Sequence, residues 1–154
     1  MSACWLVKSE PEVFGIDDLA RVKITGWEGV RNYQARNYMR DSMKPGDPVL
    51  FYHSNAEPSG VAGLAEVYGS PLPDPTQFDK KSEYFDATSP RDTPRWVMVQ
   101  LKFVKRFKHV VPLEALRAEK ALTGMMLLQK GSRLSVQVVT PAQFAHVVKM
   151  AQQA

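Results

Sequence analysis

The sequence predicts a chain of the α/β class, α+β type: a mixed, curved β-sheet or small barrel with helices around it. Three observations carry this. Runs of strand-forming residues recur without regular crossover helices between them, which argues against a doubly wound parallel sheet. Arg95 to Phe107 alternates, with Val97, Val99, Leu101 and Phe103 on one side and Met98, Gln100 and Lys102 on the other, as a long half-buried strand requires. The chain closes on an amphipathic helix. Thr140 is its N-cap, Pro141 its first residue and Gln143 its capping-box partner, and Phe144, Val147, Val148 and Ala151 follow at helical spacing.

In chain order, Cys4-Trp5-Leu6-Val7 reads as a first strand that ends near Ser9, because Pro11 follows. Ile16 to Leu19 reads as one or two helical turns, and Asn32 caps a helical stretch over Tyr33 to Met39. Lys44-Pro45-Gly46-Asp47 is a turn into a strand over Pro48 to His53. A short loop leads to a further strand over Val61 to Tyr68, so the pair is expected to form a hairpin. Residues 69–94 are rich in proline and polar residues and are expected to be a mostly irregular surface loop that borders a cleft without forming its base. Pro112 opens a short helix with Leu113 and Leu116 on one face, Met125 to Leu128 is a buried helix or bend, and Leu134 to Val139 is the last strand. On that strand Ser135 and Gln137 share a face; they either line a cavity or meet water, and water is the first expectation for Gln137.

At 154 residues the chain suits one domain, residues 1–154, with a real core. Apolar residues make up 44% and charged residues 23%, which is a globular composition. No apolar run approaches the roughly 18 residues that span a bilayer, and no secretory signal is evident. With Cys4 the only cysteine, no intramolecular disulfide is possible, and a reducing, cytoplasmic setting with no membrane is expected. The formal charge of +4 favours an anionic partner, nucleic acid first, although an ordinary solvated surface gives the same charge.

Catalytic and cofactor signatures are missing from the sequence. There is no phosphate-binding glycine loop, His53, His109 and His146 have no metal-ligand spacing, and Ser54 beside His53 lacks the glycines of a nucleophile elbow. No cofactor and no metal are therefore expected, and Cys4 reads as core. The suggestive stretch is Gly26-Trp27-Glu28-Gly29-Val30-Arg31-Asn32-Tyr33-Gln34-Ala35-Arg36-Asn37. A tryptophan between glycines in a loop suits a stacking plate for a flat base. The Asn32 amide suits a base edge, and Arg31 and Arg36 suit phosphates. The residues alone also allow Trp27 to pack beneath its loop and Asn32 to do no more than cap its helix, and taken by themselves they put that plainer reading first. Lys8-Ser9-Glu10-Pro11, Phe51-Tyr52-His53-Ser54-Asn55 and Pro94-Arg95-Trp96 add polar and aromatic groups at strand ends.

Taken together these blocks resemble the EVE domain family of the PUA-like superfamily. They are Trp5 to Pro11, Trp27 to Asn37, Gly46-Asp47 with Phe51 to Asn55, Pro94-Arg95-Trp96, and Leu134-Ser135-Val136-Gln137, in order along nearly the whole chain. Glu28 departs from the aspartate expected there in many members. The resemblance implies a PUA-like fold, a mixed, highly curved sheet approaching a barrel and flanked by helices, and a cleft that recognises a modified base, modified cytosine in DNA being the leading candidate. It implies a reader rather than an enzyme, with Trp27, Asn32, Ser9, Lys8, Tyr33, Tyr52, Ser54 and Trp96 as the base-binding set and Arg31 and Arg36 on phosphates. Two other classes compete: an enzyme acting on a modified base or nucleoside, and a protein-interaction adaptor with a vestigial cleft.

Overall fold

Strand β1 (Cys4–Ser9) sets the pattern for the molecule, as seen in a computed structural model that describes residues 3–131 and 133–153. It is followed by α1 (Pro11–Phe14), α2 (Ile16–Val22), β2 (Ile24–Gly26) and α3 (Tyr33–Asn37), whose last residues run into a π-helical turn, Tyr38–Ser42. Then come β3 (Pro48–His53), β4 (Gly60–Pro73), a 3-10 turn (Pro75–Phe78), β5 (Val97–Pro112) and α4 (Leu113–Arg117). Two further 3-10 turns, Lys120–Leu122 and Met126–Leu128, lead to β6 (Val136–Val139) and α5 (Pro141–Gln153).

The strands form one six-stranded sheet in the order β2-β5-β4-β3-β1-β6. It is mixed, as expected: β1 runs parallel to β3, with Val7 opposite Phe51, and the other pairs are antiparallel. The expected hairpin is β3–β4, and the expected long strand is β5.

Alternation along β1 and β3 sorts side chains onto two cores, one per face. Trp5, Val7, Val49 and Phe51 join Leu19, Met39 and Met43 on one face; Cys4, Leu6, Leu50 and Tyr52 join Leu116, Met125 and Val147 on the other. The Lys44–Asp47 turn is tied to β1 by Trp5, whose Nε1 donates to Asp47 Oδ2 at 3.0 Å. The capping box of α5 is present in full: Thr140 N donates to Gln143 Oε1 at 3.0 Å and Gln143 N to Thr140 Oγ1 at 3.1 Å.

Several expectations are corrected. β2 and α1 are too short to show a period and were not expected. β4 runs on to Pro73, so the irregular stretch starts later than residue 69, and β5 runs five residues beyond Phe107. Nor is the loop simply irregular: Asp74 and Gln77 are fully buried and organise it. Gln77 Nε2 donates to the carbonyls of Asp74 and Trp96, both at 2.7 Å, and its Oε1 accepts from Ser89 Oγ and Trp96 N. Gln137 does not face water; it is fully buried, and its Nε2 donates to Leu134 O at 3.0 Å. Val138 is instead 40% exposed.

Candidate functional site

A cleft of ≈ 450 Å³ opens where strands from opposite ends of the sheet order approach one another. Lys8 and Ser9 at the end of β1 and Ser135 ahead of β6 form one wall; Thr25 and Gly26 of β2, continuing into Trp27, Glu28 and Gly29, form the other. Curling of the sheet brings the two walls together. Val13 and Phe14 of α1 and Tyr84 of the long loop complete the lining.

Each wall is fixed by backbone pairing. Lys8 N donates to Ser135 O at 2.9 Å, and Trp27 N to Val99 O at 2.8 Å. Gly29, at φ +80°, turns the chain so that its N–H reaches buried Asp74 Oδ2 at 2.7 Å. The turn favours glycine, and a Cβ there would lie 2.6 Å from the Tyr84 ring and push it aside.

Trp27 is 8% exposed. Its ring meets Phe14 and Phe51 edge-on, at centroid distances of 6.4 and 5.6 Å and 81° in both cases, and belongs to the same core as Trp5 and Val7. It is therefore at once a core residue and part of the cleft wall. The two alternatives open to the sequence, a plate at a cleft and a ring packed beneath its loop, are thus both met by the position of this side chain.

The cleft is chemically mixed. Lys8 lines the wall at the end of β1, but its ammonium lies over the Tyr52 ring, 5.9 Å from the centroid, on the face away from Trp27, and burial there holds it below its usual range. Loss of hydration, and then the charge of Asp74, push the Glu28 carboxyl up. Ser9, Thr25 and Ser135 bring hydroxyls that donate or accept as needed.

Of the residues expected at the site, Lys8, Ser9 and Trp27 line this cleft together. The others lie elsewhere. Asn32 is exposed and caps α3, its Oδ1 accepting from Ala35 N at 3.1 Å. Tyr52 points to the opposite core, because it alternates with Phe51. Ser54 is beyond the strand end, its N bonded to Ser9 O at 3.0 Å. Trp96 is 5% exposed, donates from Nε1 to Asp86 Oδ2 at 2.8 Å and stacks with Tyr33 at 5.0 Å and 31°.

Both arginines assigned to phosphate are committed within the chain. Arg31 bonds Asp74 Oδ2 at 3.1 Å, Thr76 Oγ1 at 2.9 Å and Tyr84 O at 2.8 Å, and lies over the Trp96 ring at 5.1 Å. Arg36 donates to Arg95 O at 2.9 Å and lies over Tyr33 at 5.0 Å. They brace the loop from Asp74 to Trp96 against α3.

Sequence reasoning did not assign Val13, Phe14, Thr25, Glu28, Gly29 or Tyr84 to the site. Glu28 and Gly29 were within reach of it, as neighbours of Trp27. Tyr84 was not, since nothing in a polar loop marks the one aromatic that folds back over residue 29.

Comparison with known proteins gives a consistent result. A family model described as the EVE domain matches residues 3–150. Human thymocyte nuclear protein 1 is 42% identical, over 97% of this chain and 74% of that protein. A hypothetical protein from Leishmania major, known by its structure, is 46% identical with a TM-score of 0.93, covering 99% of this chain and 96% of that one. The crystal structure of the human THYN1 protein in complex with DNA containing 5-methylcytosine is 38% identical with a TM-score of 0.92, covering 99% of each chain.

Proposed function

Because the chain belongs to the EVE domain family, with the PUA-like curved sheet, we propose that it is a reader of modified cytosine in DNA, taking the base into the cleft beside Trp27. One observation carries the reading. A cleft with an aromatic wall and a mixed polar lining lies in a chain that matches a 5-methylcytosine DNA complex across its length.

The lining has the groups a cytosine edge needs. A carboxylate accepts from the exocyclic amine, so Glu28 is the natural partner of that group once ionised. The hydroxyls of Ser9, Thr25 and Ser135 offer donors to the ring nitrogen and the carbonyl oxygen. Phe14 and Trp27 supply apolar surface for the ring and its added methyl group. Extracting a base from the stack costs a few kcal/mol, which stacking and edge contacts offset.

With Arg31 and Arg36 occupied, phosphate contacts fall to other cations. Lys102, Lys105 and Lys108 are exposed along β5 and have no ion pair among the described residues. Lys102 lies opposite Ile24, two residues from the cleft residue Gly26. Binding without turnover follows from this reading, and so does a location wherever DNA is held; no helix of the described residues is long and apolar enough to cross a membrane.

Amide chemical shifts followed during titration with a methylated oligonucleotide test the assignment. Perturbations centred on Ser9, Thr25, Glu28 and Ser135 are expected. Perturbations confined to the Tyr33–Trp96 stack, with the cleft silent, would contradict it.

A further inference from the structure

Nine large hydrophobic side chains are exposed among the described residues, and Val13, at 77%, is the most exposed of them; Tyr33 follows at 55%. Scattered exposed apolar residues are ordinary on a protein surface. Val13 differs in its position, because it stands at the cleft, and so does Tyr84, itself 38% exposed.

Val13 is also held firmly. It sits in α1, which opens on Pro11, and the N–H groups of Val13 and Phe14 both bond to Glu10 O, at 3.0 and 2.9 Å. The next side chain, Phe14, packs edge-on against Trp27. A β-branched side chain has little χ1 freedom, so its position relative to the cleft is set by the backbone. The result is a rigid apolar projection anchored through its neighbour to the cleft wall.

Resting on the base-capture reading, we infer that Val13 is a wedge that enters the base stack at the step vacated by the captured cytosine, and hence that the substrate is duplex rather than single-stranded DNA. A duplex that has lost a base from its stack presents an apolar gap between two flat faces. Proteins that distort DNA fill such gaps with apolar side chains, and filling the gap offsets part of the unstacking cost. A single strand has no comparable gap, so the wedge acts on the duplex alone. Tyr84, braced by Arg31 over its ring at 5.5 Å, flanks the same opening.

The test compares wild type with Val13→Ala and Val13→Leu on one 5-methylcytosine oligonucleotide, as a duplex and as a single strand, with unmodified controls. An exposed position leaves the thermal midpoint near that of wild type, which is checked first. The expected result is that Val13→Ala lowers duplex affinity by about tenfold more than single-strand affinity, a share of the few kcal/mol of unstacking, and that Val13→Leu restores the ratio. An equal loss on both substrates, or no loss, would overturn the wedge while leaving base capture standing. A wild-type protein that does not distinguish methylated from unmodified DNA in either form would overturn base capture, and the wedge with it.

Discussion

Trp27 occupies two positions that sequence reasoning treats as alternatives, the core and the wall of a cleft. Its backbone follows a glycine and precedes a turn, as expected of a loop residue near a ligand, yet its ring is sandwiched edge-on between Phe14 and Phe51. Removing a buried tryptophan loses transfer energy and leaves a cavity, so Trp27→Ala is expected to cost about 3–5 kcal/mol of stability. Denaturant unfolding measures this, and a loss under about 1 kcal/mol would mean that the ring is not part of the core. Asn32 shows the reverse case. The amide that suits a base edge is used locally, on Ala35 N, where an N-cap side chain ordinarily goes. Composition cannot choose between the two uses of an asparagine; only the position of its helix relative to the cleft can.

At the scale of elements, the long loop is the informative one. Asp74 is fully buried and gathers Gly29 N, Arg31 and Thr76, while Asp86 gathers Trp96 Nε1, Arg95 and Thr88. Burial pushes the Asp74 carboxyl up, but its hydrogen bonds from Thr76, Gly29 and Arg31 outweigh this and the net shift is down. Asp86 is also held well below the usual carboxylate range, by Thr88 first and then Trp96. A carboxyl depressed in the folded state stabilises the fold above its unfolded pKa, about 3.9, and loses that contribution as pH falls through the folded value. Acid is therefore expected to loosen residues 74–96 below about pH 4. Amide exchange across this segment measures it, and unchanged protection at pH 3 would contradict it. Asp74→Ala, which leaves Arg31 without its buried partner, is expected to cost about 3 kcal/mol, the low end for a broken buried pair because Arg31 keeps some exposure.

Most of the sheet was legible because β5 is long and alternates and β1 and β3 are apolar runs of strand-forming residues, and α5 because its cap is written in Thr140, Pro141 and Gln143. β2, with three residues, has no periodicity to read, and the run of β4 past Tyr68 is masked by Gly69, Pro71 and Pro73, which signal a loop. Gln137 was misplaced because alternation identifies its face but not whether that face is covered.

For the molecule as a whole, the cleft depends on curvature, which no local pattern encodes. Lys8 and Ser9 were within reach as polar residues at a strand end, but their meeting with Thr25 and Glu28 requires the two ends of the sheet order to approach. The distribution of charge changes for the same reason, since folding turns Arg31 and Arg36 inward and leaves the β5 lysines outward. The logarithm of the DNA-binding constant should fall linearly with log salt, and replacing Lys102, Lys105 and Lys108 together by alanine should lessen the slope by about 2–3. Arg31→Ala should instead lower the thermal midpoint and leave the slope near wild type. The opposite pattern would return the phosphate contacts to the arginine.

The most direct measurement is the affinity of the protein for two duplexes that differ only in one methyl group on one cytosine, at a single fixed salt concentration. A methyl group in an apolar pocket is worth about 1–3 kcal/mol. The methylated duplex is therefore expected to bind about 10–200-fold more tightly, and replacing Glu28 by alanine is expected to weaken both duplexes together, because both cytosines carry the amine it accepts from. Equal affinity for the two duplexes would contradict the reading of this cleft as the site of a modified-cytosine reader.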